Sequence, residues 1–174
     1  QAVAAYERSL AERPGQLLPL SNLALIYANR GDHERSKSCF SRVLERFPDY
    51  VPAIHGLGVL ADAAGEKKEA IEYFQRAIEL FPIAHFSHYH LAQIYLRDQE
   101  WDKAFTAIES SLAVSPRFAP AYLDLGNLYA LQKRLPLAGE AFERLLVLDP
   151  NNENAYNAVS IVAARQGEFE RAIE

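Results

Sequence analysis

Residues 17–50 read LLPLSNLALIYANRGDHERSKSCFSRVLERFPDY, and this stretch decides the fold. Its first part places Leu20, Leu23, Ala24 and Tyr27 at i, i+3, i+4 and i+7, the spacing of one apolar helix face. Gly31 then supplies a residue that tolerates the left-handed backbone of a helix C-terminal cap. A second amphipathic segment follows and stops at a proline. The stretch therefore predicts a unit of helix, turn, helix and turn.

Prolines recur every 34 residues and mark copies of this unit, at Pro14, Pro48, Pro82, Pro116 and Pro150. A fixed period without insertions indicates a solenoid of identical structural units stacked on one another. The predicted repeats span 17–50, 51–84, 85–118 and 119–152, with a partial repeat at 153–174. Residues 1–16 are predicted to hold the second helix of a preceding repeat. All of them form one predicted domain.

The turn inside the unit is less regular than the period. Gly65 and Gly167 occupy the place of Gly31, whereas Gln99 and Lys133 stand there in the other two copies, so a left-handed turn is less well supported in those copies. Further prolines support the helix boundaries, since a helix start needs no amide proton there and favours the fixed φ of proline. They are Pro52, Pro120 and Pro136.

The aligned columns resemble the tetratricopeptide repeat family, whose signature is large, Leu, small and Tyr, then Ala, Phe, Ala and a closing Pro. Repeat four matches it with Tyr122, Leu125, Gly126, Tyr129, Ala138, Phe142, Leu145 and Pro150. Departures are mild, such as Ser36 for Ala and Ile108 for Phe. The resemblance covers the whole chain. It implies an all-α fold, a right-handed superhelical solenoid of stacked antiparallel helix pairs.

Small residues predict where the helices cross. Gly58 is expected against Ala70, and Gly126 against Ala138, because small side chains let two backbones approach. The gaps between repeats are expected to be filled by large rings, those of Phe40, Phe74 and Phe142.

Composition excludes several classes of protein. Apolar residues make up 49% and charged residues 24% of the chain, and no apolar run approaches the roughly 20 residues of a membrane span. The net charge of −5 disfavours nucleic acid, which usually needs a basic stripe. Cys39 is the only cysteine, so nothing indicates an oxidising compartment and the cytoplasm is slightly favoured. The compartment itself does not follow from the sequence.

Histidines form the one concentration of titratable groups, with His85, His88 and His90 on one predicted helix and His55 in the repeat before it. A metal site needs three or four converging ligands, and this spacing does not supply them. We expect His88 to fill a large core position and His85 to be solvated. No phosphate loop or nucleophile motif is present. The sequence thus predicts no metal, no cofactor and no catalytic residue, and the chain alone is not expected to be an enzyme.

The resemblance implies a ligand-binding concave face, made by the first helices at unit positions two, five, six, nine, twelve and thirteen. Repeat three is densest there in aromatic and hydrogen-bonding groups, so Phe86 and Tyr89 are the expected anchors. The alternative is that these two rings only shield the inner wall. The candidate peptide-binding residues are Asn22, Asn29, His55, Phe86, Tyr89, His90, Gln93, Arg97, Asp124, Asn127, Asn157 and Arg165.

Two known binding modes of this family are disfavoured by the same columns. The carboxylate clamp for chaperone tails needs Lys, Asn, Asn, Lys and Arg, where one register of this chain has Ser21, Leu25, Gly56, Phe86 and His90. The asparagine ladder of glycosyltransferase-linked arrays needs one column, and Asn22, Asn127 and Asn157 lie in three different columns.

The leading hypothesis is a scaffold that binds a peptide segment of a partner protein in the concave groove. A second is the substrate-docking arm of a larger multidomain enzyme such as a glycosyltransferase. A third is a structural spacer that self-assembles end to end. Because the sequence opens inside one predicted helix and ends inside another, we expect it to be part of a longer chain.

Overall fold

The computed structural model describes residues 2–13 and 15–167, which form ten α-helices and no strand. The helices are α1 (Ala2–Glu12), α2 (Leu17–Asn29), α3 (His33–Arg46), α4 (Val51–Ala63), α5 (Lys67–Leu80), α6 (His85–Arg97), α7 (Trp101–Val114), α8 (Ala119–Leu131), α9 (Leu135–Leu148) and α10 (Glu153–Arg165). The predicted all-α fold and helix alternation are confirmed. Pro14 and the second helix of the last repeat lie outside the described residues.

The chain divides into two compact units, residues 1–94 (unit 1) and 95–174 (unit 2). In unit 1, α2 packs with α3 and α4 with α5, while α3 also contacts α4 and α1 contacts α2. In unit 2, α8 packs with α9, α10 packs on α9, and α7 contacts α8. Three-residue turns join α2 to α3, α4 to α5 and α8 to α9, so each of these three pairs is antiparallel.

The turn between the two helices of a repeat has the same geometry wherever the structure describes it fully. After α2, the Gly31 amide donates to Ala28 O (2.9 Å) and the Asp32 amide to Tyr27 O (2.9 Å), which is a Schellman motif. Gly31 has φ 74°. Gln99 (φ 60°) and Lys133 (φ 59°) adopt the same left-handed conformation with equivalent hydrogen bonds. The left-handed turn therefore forms in this protein with or without glycine.

Several helices begin at prolines or capping residues that the sequence provides. Pro52, Pro120 and Pro136 lie in the first turn of α4, α8 and α9, as predicted. The Asp32 carboxylate accepts a hydrogen bond from the Arg35 amide (3.2 Å) at the start of α3, and Asn152 Oδ1 accepts one from the Ala155 amide (3.1 Å) at the start of α10.

The expectation that Phe74 and Phe142 fill gaps between repeats is corrected by their contacts with glycine. A Cβ added at Gly58 would lie 2.8 Å from the Phe74 ring, and one at Gly126 would lie 2.4 Å from the Phe142 ring. Each ring thus packs on the glycine of its own repeat rather than only between repeats. Phe40 does lie between repeats, since a Cβ at Gly56 would meet its ring at 2.5 Å. These glycines leave the space that the phenylalanine rings fill.

The departure from the family pattern at Ser36 is explained by a hydrogen bond. Ser36 is fully buried, and its hydroxyl donates to Ala24 O at 2.8 Å, so it fills the small position while linking α3 to α2.

The expectation that His88 fills the core is wrong. His88 is only partly buried, and its Nε2 lies 3.1 Å from Pro82 O. The same contact recurs in the next two repeats, where the Tyr122 hydroxyl donates to Pro116 O (3.0 Å) and the Tyr156 hydroxyl donates to Pro150 O (3.1 Å).

None of the helices within the described residues combines the length and apolarity that a membrane crossing requires.

Candidate peptide-binding face

The first helices of unit 1 carry large apolar side chains that the fold leaves exposed. Leu18 and Leu25 on α2 are 68% and 54% exposed, and Phe86 on α6 is 52% exposed. These residues occupy unit positions two and nine, which lie on one side of a helix because they are seven residues apart. We call the surface formed by these three residues, by His55 on α4 and by Tyr89 on α6 the first-helix face. It combines exposed apolar side chains with aromatic and imidazole rings.

An aromatic cluster lies within this face at the junction of α4, α5 and α6. The His55 ring centroid lies 5.1 Å from that of His90, 5.5 Å from Phe74 and 6.5 Å from Phe86. The His90 ring stacks on Phe74, with centroids 5.2 Å apart and planes 9° from parallel. Tyr89 meets the edge of His90 at 6.3 Å. The rings of the cluster pack on one another in tilted, stacked and edge-on arrangements.

A hydrogen bond orients the central imidazole. His55 Nδ1 lies 2.9 Å from Ser87 Oγ, and Ser87 is buried. Burial among rings, with a smaller contribution from the neighbouring His90 and His85, lowers the pKa of His55 from 6.5 to about 4. The imidazole is therefore neutral at pH 7, and it presents a hydrogen-bonding ring rather than a charge.

The predicted residues of unit 1 differ in how they are placed. Phe86 is exposed, as an anchor requires, and Tyr89 is half-buried beside His90. Asn22 is half-buried, and its Nδ2 donates to Tyr6 Oη of α1 at 3.1 Å. Asn29 is exposed near the end of α2, and Gln93 is half-buried on α6. The structure thus brings together His55, Phe86, Tyr89 and His90, whereas Asn22 serves the contact between α1 and α2.

The predicted residues of unit 2 lie on the first helices of their own repeats. Arg97, Asn127, Asn157 and Arg165 are exposed, and Asp124 is half-buried. They remain candidate binding residues.

Sequence reasoning missed two members of the cluster. Phe74 belongs to a second helix and was assigned only to packing, yet it forms the platform for His90. Ser87 holds His55, and a signal for it exists, because the corresponding residue is alanine in three other repeats (Ala53, Ala121 and Ala155). A single hydroxyl in an alanine column indicates a polar partner opposite.

The imidazoles do not make a metal centre. Within residues 2–13 and 15–167, no three His, Cys, Asp or Glu side chains converge in a way that could hold a metal ion.

The fold is that of a helical repeat protein, and its first helices leave large apolar side chains exposed. Two family models described as tetratricopeptide repeat match residues 15–82 and 89–153. The chain therefore belongs to the tetratricopeptide repeat family, whose members typically mediate protein–protein interactions.

The chain is similar to short segments of longer proteins of different kinds. The chain is 33% identical over 139 residues to a UDP-N-acetylglucosamine–peptide N-acetylglucosaminyltransferase of Giardia intestinalis, covering 78% of this chain and 9% of that protein. It is 27% identical over 177 residues to Superkiller protein 3 of Schizosaccharomyces pombe, covering 97% and 13%. The chain thus spans only a small part of these relatives.

The fold recurs in solved structures. One is YrrB, described as a TPR protein with an unusual peptide-binding site, with a TM-score of 0.75 at 19% identity, covering 97% of this chain and 87% of that one. This likeness establishes the fold.

Proposed function

We propose that the chain is a protein interaction module that binds a peptide segment of a partner through the first-helix face of unit 1. The observation that carries this proposal is the exposure of Leu18, Leu25 and Phe86 on first helices. Exposed large apolar side chains at equivalent repeat positions are costly to leave in water, and they mark contact surfaces when they recur together.

The packing of the rings beside the face supports the same role. The rings of His55, Phe74 and His90 are packed on one another, so a ligand meets a surface that needs little ordering on binding. A preformed surface leaves most of the entropic cost with the peptide, and micromolar affinity from a few anchors is then the ordinary result.

The test compares two leucine truncations of the same size. Leu25 on α2 and Leu80 at the end of α5 are both exposed in unit 1, but only Leu25 lies on the first-helix face. Leu25→Ala should weaken partner binding about tenfold, the loss of one interface anchor, while Leu80→Ala leaves it unchanged. Equal affinities for both variants, measured by calorimetry, would count against this face.

A second candidate is the docking arm of a larger glycosyltransferase, favoured by the 33% identity to the Giardia enzyme. Against it, Asn22, Asn127 and Asn157 occupy three different repeat positions and cannot form one amide track. The full-length protein should then transfer N-acetylglucosamine from its UDP donor to acceptor peptides. Absence of transfer by the full-length protein would remove this candidate and leave the interaction module.

A further inference from the structure

First and second helices of unit 1 differ sharply in charge. Leaving histidine aside, α2 has no charged side chain, α4 has only Asp62, and residues 85–94 of α6 have none. By contrast, α3 and α5 each carry six charged side chains. Helix surfaces in contact with water usually carry charge, whereas the centre of a protein interface is depleted of it. The first helices therefore have the composition of an interface centre while parts of them remain exposed.

The apolar side chains on these helices form two rows. Leu18 and Phe86 hold unit position two in repeats one and three, and Leu25 and Val59 hold position nine in repeats one and two. Seven residues separate the positions, which corresponds to about 10.5 Å along a helix at 1.5 Å per residue. Between the rows lie neutral polar groups, including Asn22 and His55. The arrangement offers apolar contacts on both sides of a hydrogen-bonding strip.

A charged partner segment meets almost no opposite charge on the first-helix face. Residues 17–29, 51–63 and 85–94 hold no Lys or Arg, so an acidic segment that contacts these residues gains no ion pair from them. Arg97, at the end of α6, lies outside these ranges. It holds only Asp62 for a basic segment, and the His55 imidazole is uncharged at neutral pH. A charged side chain would therefore lose hydration on this face without finding an opposite charge.

Resting on the proposed function, we infer that the first-helix face takes an apolar peptide segment without net charge, one that presents leucine-like or aromatic side chains about 10 Å apart. Such a segment matches the two rows, and its backbone or a side-chain hydroxyl can hydrogen bond to the neutral strip between them. Binding of this kind depends on apolar burial and hardly on ionic strength.

The experiment selects peptides from an unbiased displayed library on the immobilised protein, then measures the affinity of the enriched peptides. Phe86→Ala and Leu25→Ala test the face, and Leu80→Ala is the matched control. Enriched peptides are expected to be apolar and uncharged and to lose about tenfold in affinity with either face variant. Their affinity should change less than about twofold between roughly 0.05 and 0.5 M NaCl.

The other outcomes separate the two levels of the proposal. Enrichment of acidic or basic peptides that still depend on Phe86 and Leu25 would overturn the inferred partner chemistry and leave the binding face intact. Peptides of any kind whose affinity is unaffected by both face variants would overturn the proposed function itself. Failure to enrich any peptide would count against both.

Discussion

The buried imidazole of His55 should make the stability of unit 1 depend on pH. Its pKa is about 4 in the folded protein, against 6.5 for an ordinary histidine. The unfolded chain therefore takes up this proton first as the pH falls. Stability is intact above pH 6.5 and is lost as the pH falls from 6.5 to 4. The full difference of 2.5 pKa units corresponds to about 3 kcal/mol, of which about 2 kcal/mol is lost by about pH 5.

The variant that isolates this effect is His55→Asn. Asparagine places a hydrogen-bonding atom near the position of Nδ1, so it can keep the contact to Ser87 while removing the titration. The free energy of unfolding is measured by urea denaturation, followed by circular dichroism, at about pH 7.5 and about pH 5. Wild type should lose about 2 kcal/mol more than the variant between the two values.

The matched control is His33→Asn, because His33 is exposed at the start of α3. It should lose the same stability on acidification as the wild type. Equal pH dependence of wild type and His55→Asn would refute the reasoning, since it would mean that His55 titrates alike in the folded and unfolded chain.

Three further predictions concern packing, turns and specificity. Gly126→Ala should destabilise the protein by about 1–3 kcal/mol, because its Cβ would lie 2.4 Å from the Phe142 ring. The control Gly139→Ala should be neutral or stabilising, because its Cβ would lie 3.8 Å from Val162. Thermal melts that rank the two variants the other way would contradict the packing. Gln99→Gly should raise stability by about 1 kcal/mol, since glycine adopts its φ of 60° without strain, and a loss in urea denaturation would contradict this. An acidic chaperone tail should not bind with a dissociation constant below about 10 µM by calorimetry, because the clamp residues are absent; tighter binding would disprove that assignment.

Most of the fold could be predicted because the proline period and apolar spacing report directly on helix length and orientation. The turns at Gln99 and Lys133 could be predicted less well, since residue preference favours glycine at a left-handed position and these two copies carry other residues there. The same Schellman hydrogen bonds form at these two turns without glycine.

Less of the candidate site followed from the sequence. Phe86 and Tyr89 were predicted as anchors because the family pattern assigns first-helix positions to ligands, and that role stays a prediction. The contact of His90 with Phe74 joins residues of different repeats, and no spacing within one helix reports it. The column assignment also took no account of α1, whose Tyr6 accepts the amide of Asn22. Pairing between helices therefore needed the three-dimensional structure.

The most direct test of the first-helix face is photo-crosslinking in the intact protein from native lysate. A photoreactive residue replaces the exposed Phe86 on α6, and the same residue at exposed Gln75 on α5 is the control. We expect one partner to be captured from position 86 only, and capture to be abolished by Leu25→Ala in the same chain. Equal capture from both positions, or capture only of a second copy of this chain, would contradict peptide binding at this face.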